Sequence, residues 1–329
     1  MKRREFIAGL GGAAAWPIAA RAQQPGKVWR IGMLERDRQE LASANLAAFR
    51  NGLRENGYIE GQNLVIDYRF ADGRDERSPE LAAELVRLKV DLITARGTPA
   101  TLAAKNATST IPVVMTGVGL PLAFGIVASL ARPGGNVTGL SSFANELQAK
   151  RVELLRDLVP GIRRIAHLGD GSNPGAASAW EDVRSAARSL AIESLLVDLR
   201  DVRSALDLQR LMDAASEQHI DALEVTIDAV TYNYQREIVD FAARKKLAAI
   251  YGAREFVDGG GLMAYAVSYP QLYYRAATFV DKIFKGVKPA DLPVEQPTRM
   301  ALVINLKAAK ALGLAVPQSI LLRADEVIE

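Results

Sequence analysis

Short apolar runs alternate with amphipathic stretches along almost all of this 329-residue chain. That rhythm leaves few folds open. Strands that follow one another in parallel need crossover helices, so the pattern predicts parallel sheets covered on both faces. Residues 28–34, 63–69, 91–94, 112–115 and 137–140 read as strands of a first unit. The helices between them place apolar residues three and four apart, as at Leu46, Phe49 and Leu53. A further helix is expected over 121–131. The rhythm restarts with a helix lined by Leu147, Leu154, Leu155 and Leu158 and stopped at Pro160 and Gly161. Strands over 164–168, 194–199, 222–227, 248–251 and 262–267 follow. A long helix carrying Leu272, Ala276, Phe279 and Ile283 ends at Gly286, and a linker, a strand over 300–305 and a helix over 306–312 come last. Two successive α/β units are the sequence picture of two lobes.

The first residues break the rhythm. Lys2-Arg3-Arg4-Glu5-Phe6-Ile7 opens an uncharged run from Phe6 to Ala20, and Ala20-Arg21-Ala22 closes it with small residues. A charged start, a short apolar run and a small-residue exit predict a secretory signal peptide over 1–22, of the twin-arginine type. The run is shorter than the roughly 20 residues of a membrane span. Gly9, Gly11, Gly12 and Pro17 oppose a packed helix, and no strand precedes them to make a phosphate loop. Cleavage near Ala22 and a periplasmic location are expected. Removing Lys2, Arg3, Arg4 and Arg21 takes 41 basic residues to 37, and removing Glu5 takes 38 acidic residues to 37. The net charge of +3 then falls to zero, and a nucleic-acid partner loses its electrostatic basis.

Several chemistries are disfavoured outright. The chain has no cysteine, and its two histidines, His167 and His219, lack ligand spacing. Neither a nucleophile elbow nor a Walker-type phosphate loop is present. No cofactor, no metal and no catalytic residue are expected, and the protein is read as a monomer. In parallel sheets the ligand sits beyond the carboxyl ends of the strands, so residues just after each strand are the candidates for either an enzyme or a binding protein.

Several blocks carry a resemblance. They include Leu81–Asp91, Gly97-Thr98-Pro99-Ala100 with 103–112, and Leu130-Ala131-Arg132-Pro133-Gly134-Gly135-Asn136-Val137-Thr138-Gly139. Others are Ala249-Ile250-Tyr251-Gly252, Arg254-Glu255-Phe256-Val257, Gly260-Gly261-Leu262-Met263, and 280–283 through 293–298. In this order, over residues 28–329, they resemble the substrate-binding proteins of ABC importers, in the type labelled tryptophan/tyrosine or sugar binding. The resemblance implies a type I periplasmic-binding-protein fold: two doubly wound α/β lobes with parallel sheets and a hinge cleft. It implies lobe 1 over 27–142 plus 268–292 and lobe 2 over 143–267 plus 293–329. It also implies a small-molecule ligand of the amino-acid or related carboxylate class, an ABC permease in the inner membrane as partner, and no reaction.

Ligand contacts are expected at Thr98, Pro99, Ala100, Gly119, Asn173, Asp228, Tyr251 and Arg254. Thr98 precedes Pro99 at a helix start, where free N–H groups and the helix dipole suit a carboxylate; the same geometry serves a plain cap. Asp228 ends a strand and could hold an ammonium group or cap a helix. Asn173-Pro174-Gly175 reads equally as turn chemistry. Tyr251 could stack on a ligand or sit in the core, and Arg254 could bind a carboxylate or bridge the lobes. Two departures stand out. Leu120 replaces the acid of the family's Gly-Asp-Pro, and Glu35-Arg36-Asp37-Arg38 is far more charged than the loop the family implies, although a charge run reads first as a solvated loop. An exported α/β enzyme and a sensor-associated binding protein remain the alternatives.

Overall fold

The computed structural model describes residues 27–142, 144–297 and 299–329. The expected signal peptide lies outside the described residues. Strand β1 (Trp29–Glu35) has five consecutive buried residues from Ile31, as a strand covered on both faces requires. It pairs in parallel with β2 (Leu64–Phe70) on one side and β3 (Leu92–Arg96) on the other. With β4 (Val113–Val118) and β5 (Val137–Ser141) the sheet order is β2-β1-β3-β4-β5. The second sheet contains β6 (Arg164–Gly169), β7 (Glu193–Asp198), β8 (Ala222–Val225), β9 (Ala248–Tyr251), β10 (Met263–Ala266), β11 (Ala301–Asn305) and β12 (Glu326–Ile328). Its order is β12-β11-β10-β9-β8-β6-β7. Every pairing is parallel except β10 with β11, which is antiparallel. The fold is α/β with two parallel-dominated sheets, one in each lobe.

Apolar helix faces hold the layers together. The helices Gln39–Glu55 and Tyr269–Phe284 cover one face of the first sheet, where Phe49, Leu53, Tyr273 and Phe279 share one buried cluster. Burying side chains of this size contributes about 1.5–3 kcal/mol each. The helices Ser78–Arg87 and Gly97–Ala107 cover the other face through Leu85, Ala100 and Ala104. On the second sheet, Ala205–Ser216 and Gln235–Lys245 pack through Leu208, Met212 and Phe241. Ala144–Leu158 and Pro174–Ser189 cover its opposite face through Leu155 and Val183.

Three features differ from the sequence expectation. No helix forms over 121–131. Gly125 takes φ +61°, and the segment instead makes turns that aim Ile126 and Val127 into the core. A helix not foreseen, Ala205–Ser216, follows β7; the Ser204 hydroxyl accepts from the Asp207 N–H to cap it. The last return to the second lobe also comes later than residue 293. Val294 and Glu295 N–H groups donate to Leu130 and Gly139 carbonyls, and Ser141 N–H donates to the Glu295 carbonyl. Edge strand β5 thus acquires a short partner before the chain leaves.

Candidate functional site

In each sheet the chain reverses its direction of winding once, between β1 and β3 and between β6 and β8. Ligands of open α/β sheets bind at such switch points. Residues following β1, β3 and β4 in one lobe and β6, β8 and β9 in the other line a single narrow cavity of about 60 Å³. The lobes touch around it. Asn173 Nδ2 donates to Asp75 Oδ2 across the divide at 3.2 Å.

Two arginines dominate the first lobe's wall. Arg96 ends β3, is 2% exposed and makes a direct ion pair with Asp37. Its guanidinium lies between two aromatic rings, 4.9 Å from the Tyr269 centroid and 5.0 Å from that of Tyr232. Tyr269 belongs to the first lobe and Tyr232 to the second, so cation–π contact joins the two lobes through Arg96. Gly117 makes room for this: it takes φ +69°, and a Cβ there would stand 2.8 Å from the Tyr269 ring. Arg36, just after β1, is also buried, and its Nε donates to Asp37 Oδ1 at 3.3 Å. The Nη2 groups of both arginines are buried without a hydrogen-bond partner among the described residues. The helix Gly97–Ala107 begins beside them with no side-chain cap, which leaves its N-terminal N–H groups toward the cavity.

Glu35-Arg36-Asp37 is therefore no solvated loop: these three residues are 1%, 5% and 0% exposed. Burial pushes the Glu35 carboxyl up, against Arg96 and a hydrogen bond from Tyr273. On the other side, Arg151 Nη1 donates to Gln148 Oε1 at 2.9 Å and to Glu224 Oε1 at 3.1 Å. Glu224 Oε2 lies 2.5 Å from His167 Nδ1. Burial opposes the ionised Glu224, but His167 and Arg151 outweigh it and hold its carboxyl below the ordinary value.

The structure brings together only part of the sequence-derived set. Thr98, Gly119 and Asn173 line the cavity. Asn173 also caps the helix Pro174–Ser189, its Oδ1 accepting from Gly175 N–H at 2.9 Å. Pro99 lies within the helix, and Ala100 is buried in the first-lobe core. Asp228 does not line the cavity. Its oxygens accept from the Thr231 and Asp170 N–H groups at 2.8 Å each, in a capping box. Tyr251 points the other way, stacked on Phe256 at 4.8 Å in the second-lobe core. Arg254 is exposed and pairs with Glu326 and Asp258. The strand-end rule marks the right loops but cannot say which way each side chain turns. Arg96, Arg151, Gln148 and Tyr269 were missed, and Arg36, in a run set beside the cleft, was read first as part of a solvated loop, although Arg36 and Arg96 stand at the very strand ends the rule names.

The sequence pattern of the ABC transporter substrate binding protein family matches residues 40–328. The chain belongs to this family. A tyrosine-binding protein of Clostridioides difficile is 28% identical over 266 residues, covering 81% of this chain and 75% of that one. A Streptococcus pneumoniae ABC domain in complex with L-Trp matches with TM-score 0.83 at 27% identity, over 91% of this chain and 99% of that one. A conserved domain protein of Vibrio cholerae matches with TM-score 0.85 at 27% identity, over 92% and 100%. A ligand-free, open substrate-binding protein of Clostridium difficile reaches only 0.64 at 26% identity, over 92% and 99%. At nearly equal identity the present lobes thus match the L-Trp complex better than the open relative, in keeping with their mutual contacts.

Asp75 gives this closed arrangement a pH dependence. Its carboxyl is pushed from 3.8 up to about 6, first by burial and further by Asp228, Asp170 and Glu76, with Arg36 opposing. In an open cleft the group regains water and its ordinary value. Closure therefore takes up a proton. The contribution favours closure fully below about pH 4 and is lost as the pH rises through about 6. Ligand affinity is expected to be several-fold higher at pH 5 than at pH 7 by this linkage, discounted because Asp75 is half-buried. Asp75→Asn should flatten the profile, and titration calorimetry across that range checks it; an unchanged slope removes Asp75 as the cause.

Proposed function

We propose that this chain is the receptor of an ABC importer. It captures a small carboxylate-bearing metabolite, of or near the amino-acid class, between its lobes and presents it to a permease in the inner membrane. The observation that carries this reading is the wall built by Arg36 and Arg96 beside the uncapped start of the helix Gly97–Ala107. Guanidinium groups match a carboxylate in planar geometry, and helix N–H groups favour an anion. Thr98 and Asn173 would add a hydroxyl and an amide from opposite lobes. The tyrosine-binding and L-Trp-bound relatives support a ligand that carries a carboxylate. The reading assigns the site no reaction and the protein a monomeric state. It places lobe 1 at 27–142 with 268–295 and lobe 2 at 143–267 with 296–329. Residues 1–22 act in it as a twin-arginine signal, which puts the mature protein in the periplasm.

Native mass spectrometry on protein purified without denaturation tests the reading. A single retained small molecule bearing a carboxylate, released on unfolding, is the expected result. Retention of a nucleotide or a redox cofactor instead would turn the assignment toward an exported enzyme.

A further inference from the structure

Chemistry and size at this cleft depart from what an aromatic amino acid needs. An amino acid presents a carboxylate and an ammonium, and a cleft that holds both offers a cation and an anion. Here the described lining carries three arginines, Arg36, Arg96 and Arg151, and among the described residues no Asp or Glu. Three of the nearby acids are engaged elsewhere. Asp37 is paired with both first-lobe arginines, Glu224 with Arg151 and His167, and Asp228 with two backbone N–H groups. Glu35 Oε2 and Asp75 Oδ1 are also buried and unpartnered among the described residues, but neither residue lines the cavity; what the lining itself leaves unpartnered is donor capacity, the Nη2 groups of Arg36 and Arg96. Elsewhere in the lining, Leu147, Ala176, Ala179 and Val267 give apolar surface beside the polar Gln148, Asn173 and Thr226. The space is about 60 Å³, well below the roughly 150 Å³ that accepts a benzene ring.

Resting on the receptor reading above, we propose that the ligand is a compact organic anion without an ammonium group: a short-chain carboxylate. Its carboxylate meets Arg36, Arg96 and the start of the helix Gly97–Ala107, and its carbon body faces Leu147 and Val267. The departures from the family in this chain then acquire one meaning. Arg36 and Asp37 replace a less charged loop to build the anion wall, and Leu120, next to the lining residue Gly119, brings no acid to it.

Titration calorimetry on the full mature chain, stripped of ligand by unfolding and refolded, tests this with matched pairs. The probes are propionate against L-alanine, succinate against L-aspartate, and 4-hydroxyphenylpropionate against L-tyrosine, with inorganic phosphate and sulfate as carbon-free anions. Propionate or succinate is expected to bind at least about tenfold tighter than its amino counterpart and tighter than either aromatic compound, since an added ammonium would be buried without a partner. The side chains of residues 143–146 lie outside the described residues, so the panel is repeated on Glu146→Gln, in which the preference should persist. Equal or tighter binding of the amino acid in either compact pair overturns the proposal. So does tightest binding of an aromatic compound or of phosphate or sulfate, a tenfold change of preference in Glu146→Gln, or silence from every acid. The receptor reading itself falls only if native mass spectrometry also finds no retained small molecule, or finds a nucleotide or redox cofactor.

Discussion

Arg96→Met is expected to abolish capture and to weaken the fold at the same time. Arg96 and Asp37 form a buried ion pair, and Asp37 is 0% exposed. Removing one partner of such a pair typically costs about 3–5 kcal/mol, because the other charge stays buried. Arg36 remains 3.3 Å from Asp37, so the cost should lie near the lower end, about 3 kcal/mol. Binding should fall by at least about 30-fold, since a charge-assisted contact to a buried ligand group is worth roughly 2–5 kcal/mol. The contact with Tyr232, which ties Arg96 to the second lobe, is lost as well. Urea unfolding and calorimetry with the compound released from the purified protein separate these effects. In Asp37→Asn/Arg96→Met the stranded charge is gone, so stability should recover in part while binding does not. Recovery of binding in the double variant would mean that Arg96 acts only as a structural partner of Asp37.

Much of the fold was legible because burial of a parallel sheet on both faces leaves continuous apolar runs. Residues 248–251 and 306–312 were placed to the residue. The segment 121–131 was not, because its apolar content fits a helix while Gly125 at φ +61° bends it into turns. The site was less legible. The strand-end rule found Thr98 and Asn173, at helix starts, and Gly119, just after β4. It also put forward Asp228 and Tyr251, whose side chains turn to a capping box and to the core. Arg36 was passed over because a run of four charges ordinarily means solvent. Its burial depends on Arg96, 60 positions along the chain, supplying the second guanidinium against Asp37. Arg151 comes from within the helix Ala144–Leu158, away from any strand end, whereas Tyr269 lies three residues after β10, in the first turn of the helix Tyr269–Phe284.

Gly139→Ala should be the most damaging small substitution in the first lobe. Gly139 sits opposite Met115 in the β4–β5 pairing at φ +130°, in the left-handed half of backbone space that only glycine enters without strain. A Cβ at this position would stand 2.3 Å from the Met115 carbonyl oxygen and 2.7 Å from its nitrogen. Both obstacles are backbone, so no side chain can swing aside and the two strands must part. Overpacking costs about 1–3 kcal/mol and an unfavourable backbone conformation about 1–3 kcal/mol more. Together they predict a loss of about 4 kcal/mol, a large share of the 5–15 kcal/mol typical of a folded protein. Urea unfolding followed by circular dichroism checks this; a change within about 0.5 kcal/mol, as for an ordinary surface substitution, would contradict the strand geometry.

The central claim is that two lobes close around a small molecule held at the facing ends of their strands. Asn173 with Asp75, and Arg96 with Tyr232, are contacts that exist only when the lobes are together. Small-angle X-ray scattering on the ligand-stripped protein, before and after adding back the compound it retained, tests that claim most directly. The account predicts a larger radius of gyration in the stripped protein and a contraction that saturates with binding. An identical radius in both states at saturating ligand would mean a rigid pocket and would contradict it.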